Sequence, residues 1–170
     1  MKTSLPERRF VDANIFINWL KARPETAFRD ENAAISGYIL QKIENGEEVL
    51  TTVTIKDEVA IWLSRYRADA LNRFLELLSG YITLDIVTPT AEDQIEAGKM
   101  MGRHKLNYTD LLTLRTMKRH NIKEIYTSDT GFDTIPETKR IFTELKKEEG
   151  YNTFLNKLKE LQETNRPTHP

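Results

Sequence analysis

Cysteine is absent from this sequence of 170 residues, which excludes a disulfide framework and any thiolate zinc site. The three histidines, His104, His120 and His169, lack the close spacing of metal-ligand motifs. A charge excess of either sign is also missing. Twenty-five Lys plus Arg stand against 26 Asp plus Glu, a formal net charge of -1, so no broad basic field advertises nucleic acid and any such contact must be local. No apolar run approaches the roughly 18 residues needed to cross a bilayer, and the start, Met1 to Arg9, is polar and contains Pro6, so neither secretion nor membrane anchoring is expected. A cytoplasmic protein without membrane contact is expected. The chain contains no internal repeat of about 20 to 50 residues, no low-complexity tract and no Gly/Ser linker.

What is present fits one globular domain: 39% of the residues are hydrophobic and 30% charged, enough to bury a continuous core. Arg8 to Val11 reads as a first strand ending at Asp12, followed by helical spacing at Ile15, Phe16, Trp19 and Leu20. After a polar stretch with Pro24, Ala34 to Ile43 predicts a second helix, stopped by Asn45-Gly46. Val49 to Val53 predicts strand two, with Thr54 and Asp57 at capping-box spacing for a helix through Trp62 and Leu63. Leu71 to Leu78 continues helically to Gly80, Tyr81 to Val87 predicts strand three, and Pro89 opens a helix ended by Gly102. Asn107 to Arg119 predicts another helix, Glu124 to Thr127 strand four, and Lys139 to Phe142 strand five. Strands separated by helices favour parallel pairing, because a parallel crossover needs a dozen or more residues. The expected fold is α/β, a three-layer α/β/α sandwich around a mainly parallel central sheet.

Residues 1–145 form the expected domain core, and 146–170 a helical extension of it with a frayed tail at Asn165 to Pro170. In the extension Phe154, Leu155, Leu158 and Leu161 keep an apolar stripe at helical intervals. That stripe packs on the chain's own core or offers a face to a partner.

The acidic residues carry the functional signal. Asp12 directly follows strand one, Asp129 follows strand four, and Asp133 lies in the same turn. The carboxyl ends of parallel strands line one crevice, so Asp12 and Asp129 are expected to be neighbours. Glu58 and Asp110, near the starts of helices, can turn their carboxylates to the same crevice. Such a cluster is costly, because like charges a few ångströms apart repel until one protonates. A divalent cation offsets that cost, and Mg²⁺ and Mn²⁺ take hard oxygen ligands from one or two carboxylates, waters and phosphate. Paired ions of this kind activate water and stabilise the leaving oxygen in phosphodiester hydrolysis.

Each acid taken alone has a structural reading. Asp12 can simply cap a helix, and Asp110 can complete a capping box with Asn107. Glu58 can be a solvated helix residue, Asp129 a turn former, Asp133 a surface residue. Joint placement around one crevice favours the functional reading.

Four segments then match a known pattern. Phe10-Val11-Asp12-Ala13-Asn14-Ile15-Phe16-Ile17 resembles the opening strand and turn of PIN-domain proteins, and Thr52-Val53-Thr54-Ile55-Lys56-Asp57-Glu58-Val59 is similar to their second segment. Asn107-Tyr108-Thr109-Asp110-Leu111-Leu112 resembles the third, and Tyr126-Thr127-Ser128-Asp129-Thr130-Gly131-Phe132-Asp133 the fourth, all in family order. The resemblance, which extends to VapC-type toxins, spans roughly Arg8 to Phe142. It implies a metal-dependent ribonuclease in which Asp12, Glu58, Asp110 and Asp129 are catalytic and bind Mg²⁺ or Mn²⁺, with Asp133 a supporting or water-mediated ligand. Asn14 would orient Asp12 or a water, with Ser128 beside it. It also implies a homodimer, an RNA substrate and, in many members, inhibition by a cognate antitoxin.

Substrate signals are few. Arg103 and Lys105, before the Asp110 helix, are candidate RNA phosphate contacts, whereas Lys118-Arg119-His120 suits the dipole at the end of that helix. Two other readings compete. A haloacid-dehalogenase-type phosphatase also carries Asp after strand one, but Asp12-Ala13-Asn14 lacks the second carboxylate that such an enzyme uses as general acid. A non-catalytic PIN-like scaffold would keep the fold and hold a partner without hydrolysis.

Overall fold

In a computed structural model, which describes residues 7–23 and 26–164, five parallel strands form one sheet in the order β3-β2-β1-β4-β5. The strands are β1 (Arg9–Val11), β2 (Val49–Thr52), β3 (Leu84–Val87), β4 (Glu124–Tyr126) and β5 (Lys139–Ile141). Phe10 and Val11 are wholly buried, as expected for a central strand covered on both faces. β1 pairs with β2 through Phe10 opposite Leu50, and with β4 through Val11 opposite Tyr126.

The helices among the described residues are α1 (Ala13–Lys21), α2 (Glu31–Glu44), α3 (Val53–Tyr66), α4 (Ala68–Gly80), α5 (Ala91–Met100), α6 (Tyr108–Arg119) and α7 (Glu149–Thr164). α1 packs on α2 and α3, α3 on α4, and α7 on α2, while α5 and α6 pack on each other. The chain steps from β1 to β2 to β3 in one direction and returns from β3 to β4 in the other. Right-handed crossovers therefore put α1 to α4 on one face and α5 with α6 on the opposite face. The expected three-layer sandwich is the observed one, and the sheet is parallel throughout. None of the described helices is long and apolar enough to cross a membrane.

Several boundaries differ from the sequence reading. The β-branched run Val49 to Val53 ends as a strand at Thr52, whose hydroxyl accepts from the Ile55 amide at 3.1 Å and starts α3 at once. Thr54 and Asp57 are therefore inside the helix instead of capping it. The expected third strand loses Tyr81 to Thr83 to a turn closed by the Leu84 amide on the Tyr81 carbonyl. Thr90 and Asp93, not Pro89, begin α5 through a complete capping box. The expected tail, Asn165 to Pro170, lies outside the described residues, as does Pro24.

α7 turns Tyr151, Phe154 and Leu158 inward, where Tyr38 meets Tyr151 edge-on at 5.6 Å and Phe154 at 5.9 Å between ring centroids. Gly37 on α2 is required here, because a Cβ at that position would overlap the Trp19 ring. The stripe thus packs on the chain's own core, with Leu161 at its end exposed.

At the amino ends of the strands charges are matched with charges. Arg9 donates from Nε to Glu124 at 2.7 Å and from Nη1 to Glu47 at 2.9 Å, and Tyr126 donates its hydroxyl hydrogen to Glu47 at 2.6 Å. Lys139 completes the pairing of Glu124 at 2.9 Å, while Lys42 and Tyr38 donate to Glu148.

Candidate active site

The connection from β1 goes to β2 on one side, and β4 arrives on the other, so the crevice at the carboxyl ends of β1 and β4 is a topological switch point. Asp12 and Asp129 flank it. Asp12 extends the ladder by one bond, its amide donating to the Tyr126 carbonyl at 3.1 Å, and then caps α1 by accepting from the Ala13 amide at 2.8 Å.

Asp12 is buried, and its other oxygen accepts from the Asn14 amide group and from the Thr127 hydroxyl, each at 2.7 Å. Thr127 in turn accepts from Asn14 at 2.7 Å and from the Asp129 amide at 3.1 Å. One hydroxyl therefore ties the two acids that end β1 and β4. Asn14 also accepts from the Ser128 amide at 3.0 Å, and Asn18, one turn along the same face of α1, donates to the Ser128 hydroxyl at 3.3 Å. Asp129 accepts from the Gly131 amide at 2.7 Å and begins the 3₁₀ turn Thr130–Thr134.

The other two acids come from helices. Asp110 sits in a full capping box: its amide donates to the Asn107 side chain at 2.9 Å, and its carboxylate accepts from the Asn107 amide at 3.1 Å. The capping and the crevice-facing roles therefore coexist in one residue. Glu58 lies in the second turn of α3 and still reaches solvent.

Electrostatics tie these groups together. Burial pushes the Asp12 carboxyl up to about 7, against the lowering pull of Thr127 and Ala13, and the charges of Asp110 and Glu58 raise it further. Glu58 is raised by partial loss of water and then by Asp110, and Asp110 by burial and by the charge of Asp129. Among the described residues none of Asp12, Glu58, Asp110 and Asp129 forms an ion pair.

That imbalance, with an all-oxygen donor set, fits a hard divalent cation. Among the described residues no three Asp, Glu or His side chains converge as a finished metal cage. Mg²⁺ and Mn²⁺ sites commonly use one or two protein carboxylates and complete their shell with water and substrate phosphate. Asp12 is held by three donors, and of the other acids Asp129 is tied to it through Thr127, while Asp110 and Glu58 act on it through their charge.

Asp133 is differently placed. Both its oxygens accept from Arg140, Nε and Nη2 each at 2.9 Å. Arg103 and Lys105 are exposed in the loop before α6. Sequence reading assigned no role to Thr127, Asn18 or Arg140. A signal existed for Asn18, four residues after Asn14, and for Thr127, which directly precedes the last turn. Arg140 carried none.

A search of curated proteins found no match. Among solved structures, the chain is similar to a toxin–antitoxin complex from Klebsiella pneumoniae, at 20% identity and a TM-score of 0.56, over 77% of this chain and 95% of that one. VapC20 of Mycobacterium tuberculosis, a sarcin–ricin-loop cleaving toxin, matches at 13% identity and a TM-score of 0.61, over 78% and 98%. VapBC2 of Rickettsia felis, bound to a DNA fragment from its promoter, matches at 14% identity and a TM-score of 0.56, over 78% and 96%. These likenesses concern the fold. The family model for the PIN domain matches residues 9–137, which spans all four acidic segments, and the chain belongs to the PIN-domain family.

Proposed function

We propose that this chain is a Mg²⁺- or Mn²⁺-dependent endoribonuclease, the toxin of a toxin–antitoxin pair. The observation that carries this reading is the pair Asp12 and Asp129 at the switch point, tied through the Thr127 hydroxyl, with the charges of Asp110 and Glu58 felt at buried Asp12 and no protein cation on any of the four among the described residues. A bound divalent cation supplies the positive charge that offsets the cluster and polarises a phosphodiester. Asp12, fixed by Asn14, Thr127 and the Ala13 amide, holds its anionic oxygens in place, and Asp110 and Asp129 stand ready from helix and turn. Glu58, still reaching solvent, is the fourth acid of the site. Arg103 and Lys105 supply local contacts to RNA phosphates, as a chain without net positive charge requires.

The toxin reading draws support from the solved relatives, which include a toxin–antitoxin complex, a toxin that cleaves the sarcin–ricin loop and VapBC2 bound to promoter DNA. An antitoxin is then the inhibitory partner, a homodimer the working assembly and the cytoplasm the site of action.

The test is cleavage of a mixed pool of structured and single-stranded RNAs with Mg²⁺ or Mn²⁺, comparing wild type, Asp12→Asn, Asp110→Asn and EDTA. Cleavage that requires the cation and disappears in both variants is expected. A folded protein that neither binds Mn²⁺ nor cleaves RNA would instead be a scaffold, and a phosphoryl group trapped on Asp12 would reveal a phosphatase.

A further inference from the structure

β5 lies just past the stretch matched by the family model, and one of its side chains reaches the turn that follows Asp129. Arg140 is mostly buried and spends two of its nitrogens on Asp133, in the parallel two-bond geometry that guanidinium and carboxylate share. Asp133 lies in the 3₁₀ turn Thr130–Thr134, and Asp129 caps the start of that turn through the Gly131 amide. Arg140 also feels the charges of Glu144 and Asp129. The turn therefore has one end held by the Thr127 hydroxyl and the other by Arg140. Space inside it is tight: a Cβ on Gly131 would come within 3.0 Å of the Asp129 carboxylate and 2.9 Å of Leu106.

We propose that Arg140 is a positioning residue of the acidic centre, clamping Asp133 so that the turn presents Asp129 to the crevice. The ion pair is partly exposed at Asp133, so its value lies in geometry more than in stability. Lysine, a single point charge, cannot replace the two parallel bonds. The clamp spends one acceptor site on each Asp133 oxygen and fixes the plane of that carboxylate. This inference rests on the nuclease reading for its effect on catalysis, but the clamp itself is measurable without RNA.

The experiment compares the full chain with Arg140→Gln, Arg140→Lys, Asp133→Asn and the double variant Arg140→Gln/Asp133→Asn. Amide hydrogen exchange at Gly131, Mn²⁺ affinity and cleavage kinetics are measured on each. Arg140→Gln should speed exchange at Gly131 about tenfold relative to Ile125, weaken Mn²⁺ binding on the order of tenfold, and lower kcat with KM nearly unchanged. Arg140→Lys should recover only part of each loss. The double variant should be no worse than Arg140→Gln, because the two residues act as one unit.

Unchanged exchange at Gly131 in both Arg140→Gln and Asp133→Asn would overturn the proposal. So would Mn²⁺ binding that tightens in Arg140→Gln, which would make Arg140 only an opposing charge. Were the wild type to bind Mn²⁺ yet cleave no RNA, the nuclease reading would fail while exchange and affinity still decided the clamp.

Discussion

The two ends of the sheet hold similar groups under opposite rules. At the amino ends of the strands Glu47, Glu124 and Glu148 each meet a cation or a hydroxyl, so the charges there are internally balanced. Asp93, at the start of α5, follows the same rule with Arg119 and the Thr90 amide, which hold its carboxyl below the usual range against the opposing effect of burial. At the carboxyl ends burial raises Asp12, Glu58 and Asp110, and neighbouring carboxylates add to it: Asp110 and Glu58 at Asp12, Asp110 at Glu58, and Asp129 at Asp110. Matched charges make structure that is complete in the isolated chain. Unmatched ones are relieved by a proton or by a cation from outside.

Breaking each end should therefore have different consequences. The largest effect is expected from Asp12→Asn and Asp110→Asn, which should cut cleavage on the order of a thousandfold, equivalent to several kcal/mol of transition-state stabilisation, with the fold retained by circular dichroism. Arg9→Ala at the other end should cost about 2 to 3 kcal/mol of stability in denaturant unfolding, since it leaves Glu47 and Glu124 without their shared partner, while Mn²⁺ affinity stays unchanged. If Arg9→Ala weakened Mn²⁺ binding as strongly as Asp110→Asn, the division between the two ends would be wrong.

The acidic end should also set an unusual pH dependence. Asp12 is raised in the folded chain to about 7 from an ordinary 3.8, so the proton it binds favours folding: the contribution is full below the ordinary value and is lost as pH rises through about 7. Metal-free protein should melt lower at pH 8 than at pH 6.5, and Mn²⁺ should restore the loss at pH 8. His120, held below its usual value mainly by burial and then by Arg119, acts in the opposite sense but only as pH falls through its ordinary 6.5. Asp12→Asn should flatten the difference, and an unchanged slope in that variant would assign it elsewhere. Cleavage should fall over the same interval as pH drops and the carboxylates protonate.

Smaller effects sharpen the picture. Gly131→Ala should lower kcat on the order of tenfold by pressing on the Asp129 carboxylate, with a melting temperature within a few degrees of wild type. Reversing Arg103 and Lys105 to Glu should weaken RNA binding and reduce its salt dependence by about two phosphate contacts, leaving Mn²⁺ affinity alone. Binding with an unaltered salt slope would place the RNA path elsewhere.

The architecture was largely legible in the sequence, because a buried parallel strand such as Phe10-Val11 and a periodic helix such as α6 announce themselves locally. Element ends were less so. The run around Thr52 is equally suited to strand and helix by residue type, and only the hydroxyl's bond to the Ile55 amide decides. Asp110 posed the same ambiguity in reverse, and the structure assigns it a capping box while leaving its charge felt by Asp12.

By itself, the order of residues determined which acids follow which strands, since Asp12 and Asp129 are fixed to their strand ends by covalent adjacency. What tertiary structure decided is who stands beside them. Thr127 links Asp12 to the Asp129 amide because β1 and β4 pair in one register. Arg140 reaches Asp133 because β5 pairs with β4. Contacts between residues far apart in the chain, such as Asp12 and Thr127, depend on the register of paired strands, which no local spacing encodes.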